Sequence, residues 1–289
     1  MEDFLTRLKS DRNRLEFALR NFVRLPVPAY QEPNETKDNL LTGDPEALKK
    51  AETLHRCYDL SRLYRSATRQ RTLETLSCLE WLDHLASVEP GWFERAFQAE
   101  QFRWLDVGAK NWAYVEALQA FIRARTDAPF RLDGVELDPN RRYTDFRTRR
   151  QYAERFIQPI PEARYHAGNI LSWQQPAAII SHFLPFVFRD PLLDWGLPEK
   201  CFQPQAILNH LLSLLPPGGL LLIVNQGEEE AREQEALFQT AAGQLPLRWK
   251  SLGQLPASFI EYRYSRYGWL CGHDDRTDTD YHAGNPKPG

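Results

Sequence analysis

Four stretches of the chain join a short apolar run to residues able to hold or attack a ligand. Asp106-Val107-Gly108-Ala109-Lys110 ends one run and Gly134-Val135-Glu136-Leu137-Asp138 ends a second. Gly168-Asn169-Ile170 follows a third, and Ile180-Ser181-His182-Phe183 ends a fourth. Gly108 lets the backbone turn tightly and come close to a ligand. A helix starting just beyond it would add free N–H groups and a positive dipole end. The Glu136 carboxylate can accept both hydroxyl protons of a ribose. It could equally belong to a cluster that caps the next helix. The Asn169 amide oxygen is an acceptor. His182 stands where a general base would be useful, with an unperturbed pKa of about 6.5. A structural or pocket-lining histidine is the other reading of that residue.

These residues can meet only if their runs are strands of one sheet. Apolar runs at Phe102–Val107, Arg131–Leu137, Ala163–His166, Ala177–Phe183 and Gly219–Asn225 predict strands. Helical patterns separate them: up to about Arg125, Asn140–Ile157, Ala206–Leu215 and Glu228–Gln244. That alternation predicts βαβ units and a mostly parallel sheet, whose ligands bind beyond the carboxyl ends of the strands. Leu247–Leu252 and Ser258–Cys271 read as two closing strands, and Leu184–Pro204 as a long loop rich in Pro, Asp and aromatic residues.

Residues 1–100 carry helical periodicity alone. Phe4, Leu8, Leu15, Leu19 and Phe22 form an apolar stripe, expected to face the core. Pro26 to Pro45 is a linker, and Asp44-Pro45 starts helices expected over Glu46–Arg65 and Thr68–Ser87, with a short one at Trp92–Ala99. The domains expected are a helical segment (1–100), an α/β domain (101–273) and a disordered polar tail (274–289).

The stretch from Trp104 to Trp112 resembles the first motif of class I methyltransferases, the Rossmann-like enzymes that use S-adenosylmethionine. Glu136 matches that family's ribose-binding acid, and Gly168-Asn169-Ile170 its adenine-binding stretch, with Asn in place of Asp. Leu214-Leu215-Pro216-Pro217-Gly218-Gly219 and the apolar run after it closely resemble the family's entry to the fifth strand. The resemblance spans roughly Phe102 to Cys271. It implies a seven-stranded, mostly parallel sheet closed by an antiparallel hairpin, here preceded by an all-helical segment. It also implies S-adenosylmethionine as cofactor, held by Asp106, Gly108, Ala109, Lys110, Glu136, Leu137, Asn169, Ile170 and Ser181, with His182 as the catalytic candidate. The sequence departs from the family at Ala109, Lys110 and Asn111, where more glycines are usual.

Composition narrows the field without deciding it. The chain has 289 residues and a formal net charge of -3, so nothing pulls the whole protein toward nucleic acid or membrane. Arg141, Arg142, Arg147, Arg149, Arg150 and Arg155 crowd one segment; they read as a solvated helix face or as a hold on a phosphate-bearing substrate or RNA. The fourth strand lacks the Asn/Asp-Pro-Pro-Tyr/Phe box of amino-directed nucleic-acid methyltransferases, which argues against base methylation. The four cysteines form no metal-ligand spacing and read as reduced thiols, and no metal is implied. The N-terminus lacks a signal-peptide pattern, and a cytoplasmic protein is expected.

The reaction implied is attack by a small-molecule acceptor on an activated methyl group. A methyltransferase-like protein that binds without catalysing is the alternative. A nicotinamide-dependent oxidoreductase is the third reading, opposed by the missing G-x-G-x-x-G.

Overall fold

The computed structural model describes residues 2–23, 28–33, 35–38, 40–41 and 44–274. The side chain of Phe4, the linker residue Pro26 and the expected tail from residue 275 onward lie outside the described residues. Helices α1 (Glu2–Phe22), α2 (Pro45–Tyr58), α3 (Ser61–Ser66), α4 (Arg69–Val88) and α5 (Pro90–Ala96) come first. The α/β part then runs β1 (Phe102–Val107), α6 (Val115–Arg123), β2 (Phe130–Glu136), α7 (Arg149–Ile157), β3 (Ala163–Ala167) and β4 (Ile179–Phe183). It continues with α8 (Arg189–Asp194), α9 (Pro204–Ser213), β5 (Leu220–Gln226), α10 (Gly227–Ala242), β6 (Leu247–Gln254) and β7 (Arg266–His273).

The seven strands lie in the order β3-β2-β1-β4-β5-β7-β6. The first five are parallel, and β7 runs antiparallel to both β5 and β6. The expected Rossmann-like sheet, its closing hairpin and the leading helical segment are therefore all present. The central strands are mostly apolar because both faces are covered. Trp104, Ile179, Leu220 and Leu222 face a core shared with α2, α4, α5 and α6. Leu105, Ile180, Leu221 and Ile223 face another, filled by α9 and α10.

The N-terminal helices are fastened by charge as well as by packing. Asp44 Oδ1 caps α2, accepting from Glu46 N at 3.1 Å and Ala47 N at 2.9 Å. At the start of α4, Glu32 accepts from Thr68 N at 2.9 Å and Glu35 from Arg69 N at 2.7 Å, satisfying N–H groups that a helix leaves open. Buried Arg71 bonds Glu32 at 2.6 Å and Glu116 of α6 at 2.9 Å, and lies over the Phe156 ring.

Several expectations give way. The helix expected at Asn140–Ile157 starts only at Arg149, because Thr148 caps it and Gln151 returns the bond to the Thr148 backbone. Residues 140–148 form a loop closed by an Arg142–Thr148 bridge, so the arginines do not share one solvated helix face. The strand expected from Ser258 begins at Arg266, and the loop after β4 contains α8. The helix expected over Glu46–Arg65 breaks at Asp59, whose φ is 43°.

The apolar stripe of α1 does not face the core. Leu8, Leu15, Leu19 and Phe22 are exposed, Phe22 by 82%. The opposite face docks instead. Asn13 Nδ2 donates to Leu193 O at 2.8 Å and Leu197 O at 3.0 Å, and Arg20 reaches Asp138 and the Gly196 carbonyl. Those carbonyls lie in and just after the short helix α8, and they need donors that an apolar stripe cannot offer. Among the described residues, no helix is long and apolar enough to cross a membrane.

Candidate functional site

The direction of strand progression reverses between β1 and β4, and in open α/β sheets a crevice forms at that point. A cavity of about 480 Å³ occupies it. Gly108, Lys110, Glu136, Leu137, Asn169, Ile170 and His182 line it, brought from four parallel strands. The size suits a small-molecule or cofactor site. Asp106, Ala109 and Ser181 do not line it; each is fully buried behind the wall.

The loop after β1 turns on alternating left-handed residues: Gly108 at φ 74°, Lys110 at 53° and Trp112 at 52°. Only the first is the residue that favours this conformation. Lys110 and Trp112 each hold it at a cost of about 1–2 kcal/mol, and neighbouring contacts fix them there. Gly108 N and Ala109 N both donate to Val135 O, at 2.9 and 3.2 Å. Lys110 N donates to Glu136 Oε2 at 2.8 Å, and Tyr165 OH to Lys110 O at 2.6 Å.

Glu136 is the most connected of the lining residues. Its Oε1 accepts from Asp138 N at 2.8 Å and from Arg149 Nη1 at 2.9 Å. Both partners of that ion pair are buried. Asn169 uses its side-chain oxygen to cap a short 3-10 turn, accepting from Leu171 N at 3.0 Å. A carboxamide oxygen has two lone pairs, so one acceptor position remains.

Beneath the cavity runs a chain of hydrogen bonds. Trp104 Nε1 donates to Ser181 Oγ at 2.8 Å, Ser181 Oγ to Asp106 Oδ1 at 2.5 Å, and Tyr114 OH to Asp106 Oδ2 at 2.9 Å. Burial drives the Asp106 carboxyl up to about 7, although the hydrogen bonds from Ser181 and Tyr114 pull the other way. His182 contrasts with it. Its imidazole faces the cavity, has no hydrogen-bond partner among the described residues, and is pushed down to about 4 by desolvation. It is neutral at pH 7, an acceptor or donor but a weak base.

Three cations gather on one ring. Lys110 Nζ lies 4.9 Å from the Trp195 ring centroid, and the Arg141 and Arg149 guanidinium carbons lie 5.3 and 5.4 Å from it. Burial and the Arg149 charge lower the Lys110 pKa. Arg149, Tyr114 and Trp195 are not among the site residues expected from sequence. The crowd of arginines between Arg141 and Arg155 was the available signal for Arg149, and the aromatic content of the Leu184–Pro204 loop that for Trp195. Tyr114 carried no distinguishing pattern.

No family model matches the chain, and no curated protein matches it. Among solved structures it is similar to an S-adenosylmethionine-dependent methyltransferase from Clostridium acetobutylicum ATCC 824, at 10% identity and a TM-score of 0.44, over 67% of this chain and 91% of that one. It is also similar to the plantazolicin methyltransferase BamL in complex with a triazolic desmethylPZN analog and SAH (S-adenosylhomocysteine), at 13% identity and a TM-score of 0.42, over 82% and 99%. A third is magnesium protoporphyrin IX methyltransferase from Synechocystis PCC 6803 with bound SAH, at 9% identity and a TM-score of 0.42, over 79% and 95%.

Proposed function

We propose that the protein transfers a methyl group from S-adenosylmethionine to a small-molecule acceptor. The observation that carries this reading is the cavity at the switch point. Its wall combines a buried carboxylate at the end of β2, an amide after β3 and a tight glycine turn after β1. In this reading Glu136 accepts from the ribose, Asn169 and Ile170 meet the adenine, and Leu137 packs beside them. The backbone of Gly108 and Lys110 wraps the methionine end. Asp106, Ala109 and Ser181 act from behind as supports, since all three are buried away from the cavity.

The cofactor would supply an already activated sulfonium methyl. The protein's part is to hold the acceptor atom in line with it, an effect able to supply about 7–11 kcal/mol. His182, in the wall of the cofactor cavity, offers a hydrogen bond to an acceptor atom that reaches the methyl group. Its depressed pKa suits that role better than proton removal at pH 7.

One observation favours a second reading, a methyltransferase-like binding protein without catalysis. Both Glu136 oxygens are already engaged, by Lys110 N, Asp138 N and Arg149. A ribose would have to share the carboxylate's remaining acceptor capacity or displace Arg149. Thermal shift with S-adenosylmethionine, S-adenosylhomocysteine and NAD as control separates the readings. A rise with the first two alone supports methyl transfer, and no rise with either moves the second reading forward.

A further inference from the structure

A second cavity, also of about 480 Å³, adjoins the first and shares Gly108, Lys110, Arg149, Phe183, Leu184 and Trp195 with it. Its outer wall comes from elsewhere: from α4, from the loop before α7 and from the segment leading into β7. Glu136 and Asn169 do not reach it.

Two features of that wall stand out. Cations outnumber anions: Lys110, Arg141, Arg142, Arg149 and Arg266 line it, against the single carboxylate of Glu74. Glu74 itself accepts from Gln70 Nε2 at 2.8 Å. Arg149 is neutralised by Glu136, but Lys110, Arg141 and Arg266 have no carboxylate within ion-pair distance among the described residues. Arg266 is only 7% exposed, and its Nε is buried without a hydrogen-bond partner. Its Nη1 reaches only neutral oxygens, Gln226 Oε1 at 3.3 Å and Tyr264 O at 3.1 Å. Glu230 attracts it only from beyond ion-pair distance; a guanidinium so weakly countered is costly to take out of water, and an anion arriving beside it would recover part of that cost.

The second feature is aromatic. Trp81, Tyr114, Tyr262 and Trp195 line the same space, with the Arg266 guanidinium 4.2 Å from the Tyr262 ring centroid. Such faces take a flat apolar body, while the guanidinium forks take a carboxylate or phosphate.

We propose that this second cavity binds a planar aromatic anion, its charged group held by Arg266 and Arg141 and its ring set among Trp195, Tyr262 and Trp81. Identifying that anion as the methyl acceptor rests on the reading in the preceding subsection; the binding itself does not. The shared wall at Lys110 and Phe183 is where acceptor and cofactor would meet.

The test uses the full chain and three probes of one shape: 1-naphthoate, 1-naphthyl phosphate and uncharged 1-naphthamide, titrated calorimetrically with and without S-adenosylhomocysteine. Both anions should bind at least roughly tenfold tighter than the amide, and the tighter of the two identifies the anionic group. Arg266→Gln should weaken anion binding by roughly tenfold and leave S-adenosylhomocysteine affinity unchanged, because Arg266 does not line the first cavity. Arg141→Gln repeats the test should Arg266→Gln not fold. Equal affinity for amide and anions, absence of binding by all three, or indifference to both substitutions would overturn the proposal. Anion binding without S-adenosylhomocysteine binding would keep this site and sink methyl transfer.

Discussion

The indole of Trp112 lies against the backbone of Gly134, with ring atoms 2.8 Å from where a Cβ on Gly134 would stand. Trp112 is fully buried, and its left-handed backbone belongs to the loop that carries Lys110 N to Glu136. The absent side chain in β2 thus sets the shape of the ligand loop after β1.

Gly134→Ala should cost about 1–3 kcal/mol by overpacking, measured by urea unfolding. In a Trp112→Leu background the same substitution should cost much less. Additive costs would show that the ring and the glycine do not act together.

Asp106 and His182 should oppose each other in the pH dependence of stability. With its carboxyl raised from 3.8 to about 7, folded Asp106 binds more protons than the unfolded chain, so its contribution falls as pH rises through that window. With its imidazole lowered from 6.5 to about 4, folded His182 binds fewer, so its contribution rises with pH over that range. Relative to the parent protein, His182→Gln should therefore lose stability more steeply with rising pH from about pH 4 to about pH 6.5. Asp106→Asn should lose it less steeply from about pH 4 to about pH 7. Unfolding curves at several pH values give the slopes, and parallel slopes for the two variants would refute the assignment.

Arg149→Met should cost about 3–5 kcal/mol, since it strands the buried Glu136 charge. Adding Glu136→Gln should return much of that loss. A double variant no better than the single one would mean that packing, rather than charge, dominates at Arg149.

Arg71→Met should free the segment around Glu32 and Glu35, because Arg71 links Glu32 to Glu116. Limited proteolysis should then cut near those residues at concentrations that spare the parent protein. Equal resistance would show that the Glu32 and Glu35 bonds to the start of α4 suffice alone.

The parallel sheet was legible because its strands are buried on both faces and read as mostly apolar runs, with Leu220–Val224 of β5 the clearest case. Glu136 was legible because it stands at the carboxyl end of the second expected strand, where ligands of such sheets bind. The cationic, aromatic second cavity was not, since Trp81, Arg141 and Arg266 are far apart in sequence and converge only through tertiary packing. The α1 stripe misled for a related reason. Periodicity shows that two faces differ, but not which one docks, and here the backbone carbonyls of the α8 region selected the polar face. The α7 boundary slipped because the Thr148 capping box lay inside a segment whose charges kept a helical look.

The central claim is a cofactor site organised around Glu136, and calorimetric titration of S-adenosylhomocysteine into the parent protein and Glu136→Gln tests it most directly. The account predicts saturable binding with one site per chain, weakened by roughly tenfold or more in the variant, while 1-naphthoate binding in the second cavity is retained, since the substitution frees the Arg149 charge there. Absence of binding to the parent protein, or equal affinity in both proteins, would contradict it.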